Sequence, residues 1–151
     1  MALPDSEVLI RNWAISKSSI TDLVSQRIAT NLPEEPTLPF VVITLLGGSI
    51  DNRGEALIGE SDFQFDAYAG NYGGDNTKRK PDYATAYNVA NTIMAEAFAQ
   101  KGKKVAPGFI YGFIITQTVT RMDEEEVGLA RYRFDATMQY RSLNWVKLNY
   151  K

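Results

Sequence analysis

The stretch from Gly128 to Ser142 constrains the fold more than any other part of the sequence, because apolar and polar side chains alternate along its whole length. The apolar positions are Ala130, Tyr132, Phe134, Ala136, Met138 and Tyr140. The positions between them are Leu129, Arg131, Arg133, Asp135, Thr137, Gln139 and Arg141. A period of two predicts a strand with one buried face. The polar face is either an ordinary hydrated sheet face or a face against another subunit or a wet channel.

Length and composition exclude several classes of protein. A chain of 151 residues is expected to form a single domain, 1–151, with one core. It contains no cysteine and no histidine, which excludes disulfides, thiolate zinc sites and cysteine or histidine catalysis. A net charge of −2 argues against a broad surface for nucleic acid phosphates. With no secretion signal in Met1 to Glu7 and no apolar run long enough for a bilayer, we expect a soluble protein made in the cytoplasm.

The first third of the chain predicts a short helix followed by strands. Asp5 or Ser6 is placed to cap the helix, and Thr21 or Asp22 could start one further turn. After a short edge strand between 27 and 31, three prolines favour an extended connector. The apolar run 40–46 then predicts a buried strand that ends at the glycine pair 47–48.

A second alternating stretch runs from Ser61 to Ala69. Its inward positions are Phe63, Phe65, Ala67 and Ala69, and its outward positions are Asp62, Gln64, Asp66 and Tyr68. If this strand lies beside the 128–142 strand, Asp62 and Asp66 could face Arg131 or Arg133. Each such cross-strand pair is worth roughly 0.2 to 1 kcal/mol.

Two turn-rich stretches predict exposed loops. Ser49 to Gly59, which carries Arg53, predicts a mobile hairpin loop. Gly70 to Lys80 predicts a flexible loop whose basic end is Lys78, Arg79 and Lys80. That end either is a solvated surface or contacts an acidic partner or passing DNA.

A long amphipathic helix is predicted from Pro81, with Asp82 in its first turn, to a stop at Gly102 and the neighbouring lysines. Apolar side chains recur at spacings of three and four. The predicted inward set is Tyr83, Tyr87, Ala90, Ile93, Met94, Ala97 and Phe98. The helix is expected to pack on the sheet.

The last part of the chain predicts a second long hairpin. One strand covers Phe109 to Thr120, and the tip covers Arg121 to Val127. The tip carries four consecutive carboxylates, Asp123, Glu124, Glu125 and Glu126. Neighbouring carboxylates point in different directions, so this run does not predict a metal site. The final apolar residues are Trp145, Val146, Leu148 and Tyr150, which we expect to dock on the core or on a neighbouring subunit.

The order of elements predicts an α+β domain: an antiparallel or mixed β-sheet with long hairpins, one main amphipathic helix on it, and a short N-terminal helix. No phosphate loop, serine elbow or other catalytic constellation stands in the sequence, so we do not expect an enzyme or a cofactor. The competing class is a small-molecule binding or enzymatic α+β domain. Its pocket would be lined by Trp13, Tyr83, Tyr87, Phe109 and Tyr111.

Most of the chain resembles the tail terminator, or tail completion, proteins of long-tailed bacteriophages. The resemblance rests on patterns of residue type. They are the short N-terminal helix, the Arg27-Ile28 to Pro33 crossing, the Pro39-Phe40-Val41-Val42-Ile43 strand, the Phe63-Gln64-Phe65-Asp66-Ala67-Tyr68 strand before an alanine-rich helix, and the final Arg131-Tyr132-Arg133-Phe134 strand.

The resemblance implies a homohexameric ring in the virion neck, at the head-proximal end of the tail, assembled in the host cytoplasm. Such a ring caps the tail tube, stops its polymerisation and joins the head; the alternative is another neck or stopper component. The implied partners are copies of itself, the tail tube protein, the head-tail connector or stopper, the tape measure protein, and DNA that passes without sequence-specific binding; no membrane is involved. The candidate interface residues are Arg53, Lys78, Arg79, Lys80, Asp123, Glu124, Glu125, Glu126, Arg131 and Arg133.

Overall fold

A computed structural model describes residues 3–51, 57–72, 79–122 and 128–143, with the backbone alone at 51, 72 and 79. It contains three helices and seven strands in these ranges. In chain order they are α1 Ser6–Ile15, α2 Ser18–Val24, β1 Ile28–Ala29, β2 Phe40–Asp51, β3 Ile58–Tyr72, β4 Arg79–Pro81, α3 Tyr83–Ala99, β5 Lys101–Val105, β6 Gly108–Met122 and β7 Ala130–Ser142.

The strands form one strongly curled sheet in the order β1, β2, β3, β7, β6, β5, and β4 pairs with β3. Neighbouring strands are antiparallel except β1 and β2, which are parallel. The predicted α+β class with a mixed sheet is therefore confirmed. The strand predicted from the clearest alternation, β7, lies between β3 and β6 near the middle of the sheet.

The helices cover one face of the sheet, which we call the inner face. The predicted inward residues of β3 and β7 are buried there, except that Tyr132 is only partly buried. The rings of Phe65 and Phe134 stack with centroids 4.5 Å apart. Trp13 of α1 is fully buried and packs against Phe113 of β6. Ile93 of α3 completes this core. The inner face is thus the apolar core that the alternating pattern predicts.

The N-terminal helix begins where the sequence predicts. The Asp5 carboxylate accepts a hydrogen bond from the Glu7 amide at 2.9 Å, which satisfies a donor of the first turn. The second helix begins at Ser18, before the predicted Thr21 or Asp22. The reason is that the Lys17 carbonyl accepts the first helical hydrogen bonds without any side-chain cap.

The prediction that Gly47 and Gly48 end a strand was wrong, since β2 continues past them to Asp51. A β-bulge at Leu46 lets the strand keep its pairing with β3. A Cβ atom at Gly48 would come within 2.5 Å of the Glu60 carbonyl oxygen. Glycine is needed here for close approach between two strands.

The prediction of a loop from Gly70 to Lys80 was wrong at both of its ends. Residues 70–72 belong to β3 and pair with β4, so only 73–78 lie outside the described residues. Pro81 ends β4, and Asp82 is the N-cap of α3. The Thr85 hydroxyl and amide donate to the Asp82 carboxylate and hold its pKa below the ordinary value.

The prediction of a helix stop at Gly102 was also wrong, because α3 ends at Ala99 and 101–105 form the edge strand β5. In α3 the small residues Ala86 and Val89 are buried, whereas the predicted inward Tyr87 and Phe98 are exposed. Small side chains let the helix approach the sheet closely, which turns the Phe98 ring outward and leaves the Tyr87 ring half exposed against Tyr132.

Candidate interaction surfaces

The outer face of the sheet carries a row of paired polar side chains across β3 and β7. The cross-strand register pairs are Glu60 with Gln139, Asp62 with Thr137, Gln64 with Asp135, Asp66 with Arg133 and Tyr68 with Arg131. We call the side chains of these pairs the polar ladder. Strict alternation on both strands places it opposite the core, and antiparallel register aligns hydrogen-bonding partners along it.

Asp66 is the centre of the polar ladder. Its Oδ1 accepts hydrogen bonds from Nε of Arg131 at 2.8 Å and from Nε of Arg133 at 2.9 Å. Nε2 of Gln64 donates to Oδ2 at 3.2 Å. The residue is only 2% exposed, so this charge is removed from water and stabilised by its partners. The prediction that Asp66 could face Arg131 or Arg133 is therefore confirmed, and the structure pairs it with both.

The corresponding prediction for Asp62 was wrong. Its Oδ1 accepts a hydrogen bond from the Thr137 hydroxyl at 2.6 Å, because the register places Thr137 opposite it. The next pair along, Gln139 and Glu60, is joined at 2.9 Å. Sequence alternation gives the face of a residue, whereas its partner depends on the register between strands.

Asp135 is the ladder residue whose partners are incomplete. Its Oδ1 is buried and accepts no hydrogen bond from the residues that the structure describes. Burial raises the pKa of its carboxyl group, and the nearby Asp66 charge acts in the same direction, whereas Arg133 opposes both. The ladder thus includes one carboxylate whose ionised form is poorly stabilised.

The charges of this face nearly cancel. The carboxylates of Glu60, Asp62, Asp66 and Asp135 lie among three arginines, two of which donate to Asp66. Arg141, the third, lies over the Phe109 ring at 4.3 Å. A phosphate-binding surface needs cations that are available to the ligand. Arg131 and Arg133 instead donate hydrogen bonds to Asp66 within the sheet. The polar ladder is therefore not suited to binding phosphate groups.

One end of the outer face is apolar. Phe40, Val42, Tyr68 and Leu129 are buried there beneath the connector between β1 and β2, with Leu32 and Leu38 packed against them. The predicted outward positions Tyr68 and Leu129 are covered for this reason. The outer face therefore consists of the partly buried polar ladder and a covered apolar cluster.

Of the remaining candidate interface residues, the structure describes two, and both are on β4. Lys80 is exposed on β4, and Arg79 is described there by its backbone alone. The others lie outside the described residues: Arg53, Lys78, Asp123, Glu124, Glu125 and Glu126. Within the described ranges no group of acidic residues could hold a metal ion.

Exposed apolar side chains mark surfaces that the sequence pattern missed. Leu46 and Ile50 on β2 are 54% and 63% exposed, Ile114 on β6 is 53% exposed, and Phe98 on α3 is 77% exposed. The exposure of Ile50 could have been predicted from a longer β2, because a strand that continues past Gly48 places Ile50 on an open edge of the sheet. For Phe98 the signal was the row of alanines, which predicts the side of the helix nearest the sheet.

The aromatic residues proposed for a small-molecule pocket do not come together. Trp13 is in the core, Tyr83 and Tyr87 contact Tyr132, and Phe109 and Tyr111 form a separate pair. A groove of about 210 Å³ instead lies between α1 and the β1–β2 edge, lined by Glu7, Ile10, Arg11, Ile28, Ala29, Thr30 and Ile43. It is smaller than most ligand pockets. In the described part of the chain no helix is long and apolar enough to cross a membrane.

Comparison with known proteins finds a likeness in structure. The fold is similar to that of a chain in a solved structure described as the virion of a native gene transfer agent (GTA) particle. The TM-score is 0.56 and the identity 13%, over 87% of this chain and 94% of that chain. No protein-family profile matches the sequence, and no curated protein is similar to it. The shared feature is therefore the fold.

Proposed function

We propose that the protein is a structural subunit of a phage-like particle. In this role it forms a homohexameric ring at the head-proximal end of the tail, caps the tail tube and provides the joining surface for the head. Its partners are copies of itself, the tube protein, a head-tail connector or stopper and the tape measure protein. DNA passes through the ring without being read.

The observation that carries this proposal is the likeness in fold to a virion chain over nearly the full length of both. It supports a structural role in a particle, and the tail terminator resemblance of the sequence supplies the finer assignment to the neck.

The side-chain chemistry supports the same role. A subunit of a ring needs exposed apolar and charged surfaces on more than one side, and it needs a rigid sheet between them. Leu46 and Ile50 are exposed on β2 and Phe98 is exposed on α3, while Asp66 and its two arginines brace the middle of the sheet. The carboxylates of Glu60, Asp62 and Asp66 in the polar ladder accept hydrogen bonds from side chains of the neighbouring strand.

Electron microscopy of particles assembled without this protein tests the proposal. A tube whose growing end is not capped continues to polymerise, so we expect tails of irregular length and filled heads that lack tails. Re-supplying the protein should restore joined particles. Normal-length tails without heads would instead indicate a connector or stopper role, and normal joined particles would refute both assignments.

A further inference from the structure

The sheet is open along part of two strands. On one side β1 pairs with β2 only up to Val42, and from Thr44 to Asp51 the described residues pair β2 with β3 alone. On the other side β5 pairs with β6 only up to Gly112, and from there to Met122 the described residues pair β6 with β7 alone. We call residues 44–51 the β2 edge and residues 113–122 the β6 edge. Both present backbone N–H and C=O groups with which another strand can pair.

Neither edge is protected by charge over most of its length. No charged residue occurs from Thr44 to Ile50 or from Phe113 to Thr120. The short edge strand β5, by contrast, carries Lys101, Lys103 and Lys104. Lysines on an edge strand disfavour pairing with a second sheet, and proteins normally blunt exposed edges in this or a similar way. The β2 edge and the β6 edge are therefore both suited to contact with another strand.

Exposed apolar side chains are concentrated on the same two edges. In the described part of the chain seven large apolar side chains are exposed, and four of them lie there: Leu45, Leu46, Ile50 and Ile114. Their exposed fractions run from 39% for Leu45 to 63% for Ile50. A strand laid against them would remove apolar surface from water. The side chains thus favour the same contact as the open backbone.

The directions of the two edges allow them to pair with each other between copies. Within one molecule β2 and β6 run in opposite directions, because β2, β3, β7 and β6 are antiparallel to each other in turn. Rotation about an axis roughly along the strands keeps these directions in the next copy. We propose that the β2 edge of one copy pairs antiparallel with the β6 edge of the next, which joins the copies head to tail through one continuous sheet.

The side chains of the two edges match on each face of the sheet. The register places apolar residues on the inner-face side of both edges: Leu45, Ile50, Phe113 and Ile115. It places hydroxyl and amide side chains on the outer face: Thr44, Ser49, Gln117 and Thr120. Ile114, opposite Thr137, is an apolar exception on the outer face. A continuous sheet therefore extends the apolar face with apolar residues and the polar face mainly with polar ones.

The positions of the edges along the sheet set a stagger between copies. The register across β3 and β7 places Gly48, near the middle of the β2 edge, level with Phe113 at the start of the β6 edge. The middle of the β6 edge, near Gln117, lies about four residues further on, which is roughly 13 Å at 3.3 Å per residue. Full pairing of the two edges needs this shift. The same shift moves β1 and β5 beyond the ends of the paired stretch, where they do not obstruct it.

A stagger of this size suits a closed ring. The four strands from β2 to β6 span roughly 19 Å when neighbours are about 4.8 Å apart. A shift of roughly 13 Å over that width tilts the strands by roughly 35° from the ring axis, and strands in closed sheets tilt by about 35–45°. A head-to-tail contact forms a ring only when successive copies close on themselves. The stagger that pairs both edges fully is thus in the range that closure requires.

This inference deepens the proposed function and rests on it only for the premise that copies of the chain meet. Its test uses the full chain in solution, with mass by light scattering and amide hydrogen exchange measured over a concentration series. We expect the amides of 44–50 and 113–120 to gain protection together as the mass rises, because each edge gains a neighbouring strand. Amides in the middle of β3 and β7 should change little, since both strands are already paired on two sides.

Lysine substitutions block one edge at a time. Leu46→Lys with Ile50→Lys charges the β2 edge, and Ile114→Lys with Thr118→Lys charges the β6 edge at exposed positions. Each double variant should weaken association of the chain with itself about tenfold or more. Val8→Lys is the control, because Val8 is an exposed apolar residue on α1 rather than on either edge, and its association should match the parent's.

Mixing the two double variants tests head-to-tail pairing directly. Each variant keeps one intact edge, and these two intact edges are the ones that pair with each other. We expect each variant alone to stay monomeric and an equimolar mixture to form a one-to-one dimer that grows no further. Formation of that dimer also shows that both variants are folded, and circular dichroism of each variant checks this independently.

Three results would overturn the inference. A variant of the β6 edge that associates alone as strongly as the parent would mean that copies meet without that edge, for instance through two β2 edges. Folded variants that stay monomeric when mixed, although the parent associates, would exclude pairing of one edge with the other. A parent chain that stays monomeric with both edges unprotected would also contradict it. The particle microscopy that tests the proposed function is independent of these three results, so the two proposals can fail separately.

Discussion

The two faces of the central sheet are formed by the same strands but are stabilised by different interactions. On the inner face Phe65 and Phe134 stack under the helices, and burial of apolar surface provides the stability. On the outer face Asp66 is just as buried, but it depends on hydrogen bonds from Arg131 and Arg133. The inner face tolerates any well-packed apolar set, whereas the outer face requires particular partners. The comparison predicts that substitutions on the two faces fail for different reasons.

The largest effect is expected on the inner face. Phe134→Asp should abolish folding, because it places a charge in the core at a cost of several kcal/mol against a total stability of roughly 5 to 15. Phe134→Ala should cost about 3 to 5 kcal/mol. Denaturant unfolding measures both, with Ile114→Asp as a control on the exposed side of β6. A folded Phe134→Asp protein would reverse the assignment of the two faces.

On the outer face, Asp66→Ala should destabilise the protein by about 2 to 3 kcal/mol. It leaves two partly buried arginines without their shared carboxylate, and their remaining exposure reduces the cost below that of a fully buried pair. Asp62→Ala, which removes one neutral-partner hydrogen bond, is the matched control and should cost less. Equal losses in the two variants would show that the arginine pairing adds nothing.

A smaller effect of opposite sign is expected at Asp135. Its pKa is raised in the fold, so the ionised form destabilises the native state, and stability should rise as the pH falls through that raised value. Asp135→Asn should therefore stabilise the protein at neutral pH, because it removes the poorly stabilised charge. The gain should fade below the ordinary value of 3.8, where wild-type Asp135 is protonated in both states. Thermal unfolding at several pH values checks this, and a destabilised variant at pH 7 would contradict it.

The smallest effect on folding is expected from the basic stretch 78–80, of which Lys80 is exposed. Replacing Lys78, Arg79 and Lys80 with serine should change stability by less than about 1 kcal/mol. If these residues contact an acidic surface in the particle, the same variant should join fewer particles, and its yield should depend less on salt. Thermal unfolding and particle yield over a salt series separate the two effects. An unchanged yield would mean that this basic stretch is only a solvated surface.

The sequence predicted the parts of the fold that depend on local alternation. The faces of β3 and β7 follow from a period of two, and the pairing of Asp66 with two arginines follows once those strands are neighbours. The partner of Asp62 could not be predicted, because register between distant strands is set by the whole sheet. Gly48 looked like a strand end because close approach of two backbones has the same sequence signal as a turn.

The sequence pattern did not predict the exposed apolar surfaces, because they depend on tertiary packing. The rotation of α3 depends on how closely its alanines approach the sheet, and this turned Phe98 outward. The strand β5 was not predicted from the sequence, because lysines next to a glycine are also typical of a helix end. In both cases packing against distant residues decided between two locally acceptable structures.

Cryo-electron microscopy of the intact particle tests the central claim most directly, because it locates this chain and counts its copies. The account predicts a closed homohexameric ring at the head-proximal end of the tail tube, with the strands β3 and β7 identifiable in each subunit. Finding the chain at another position in the particle, or finding particles that join heads to tails without it, would contradict the account.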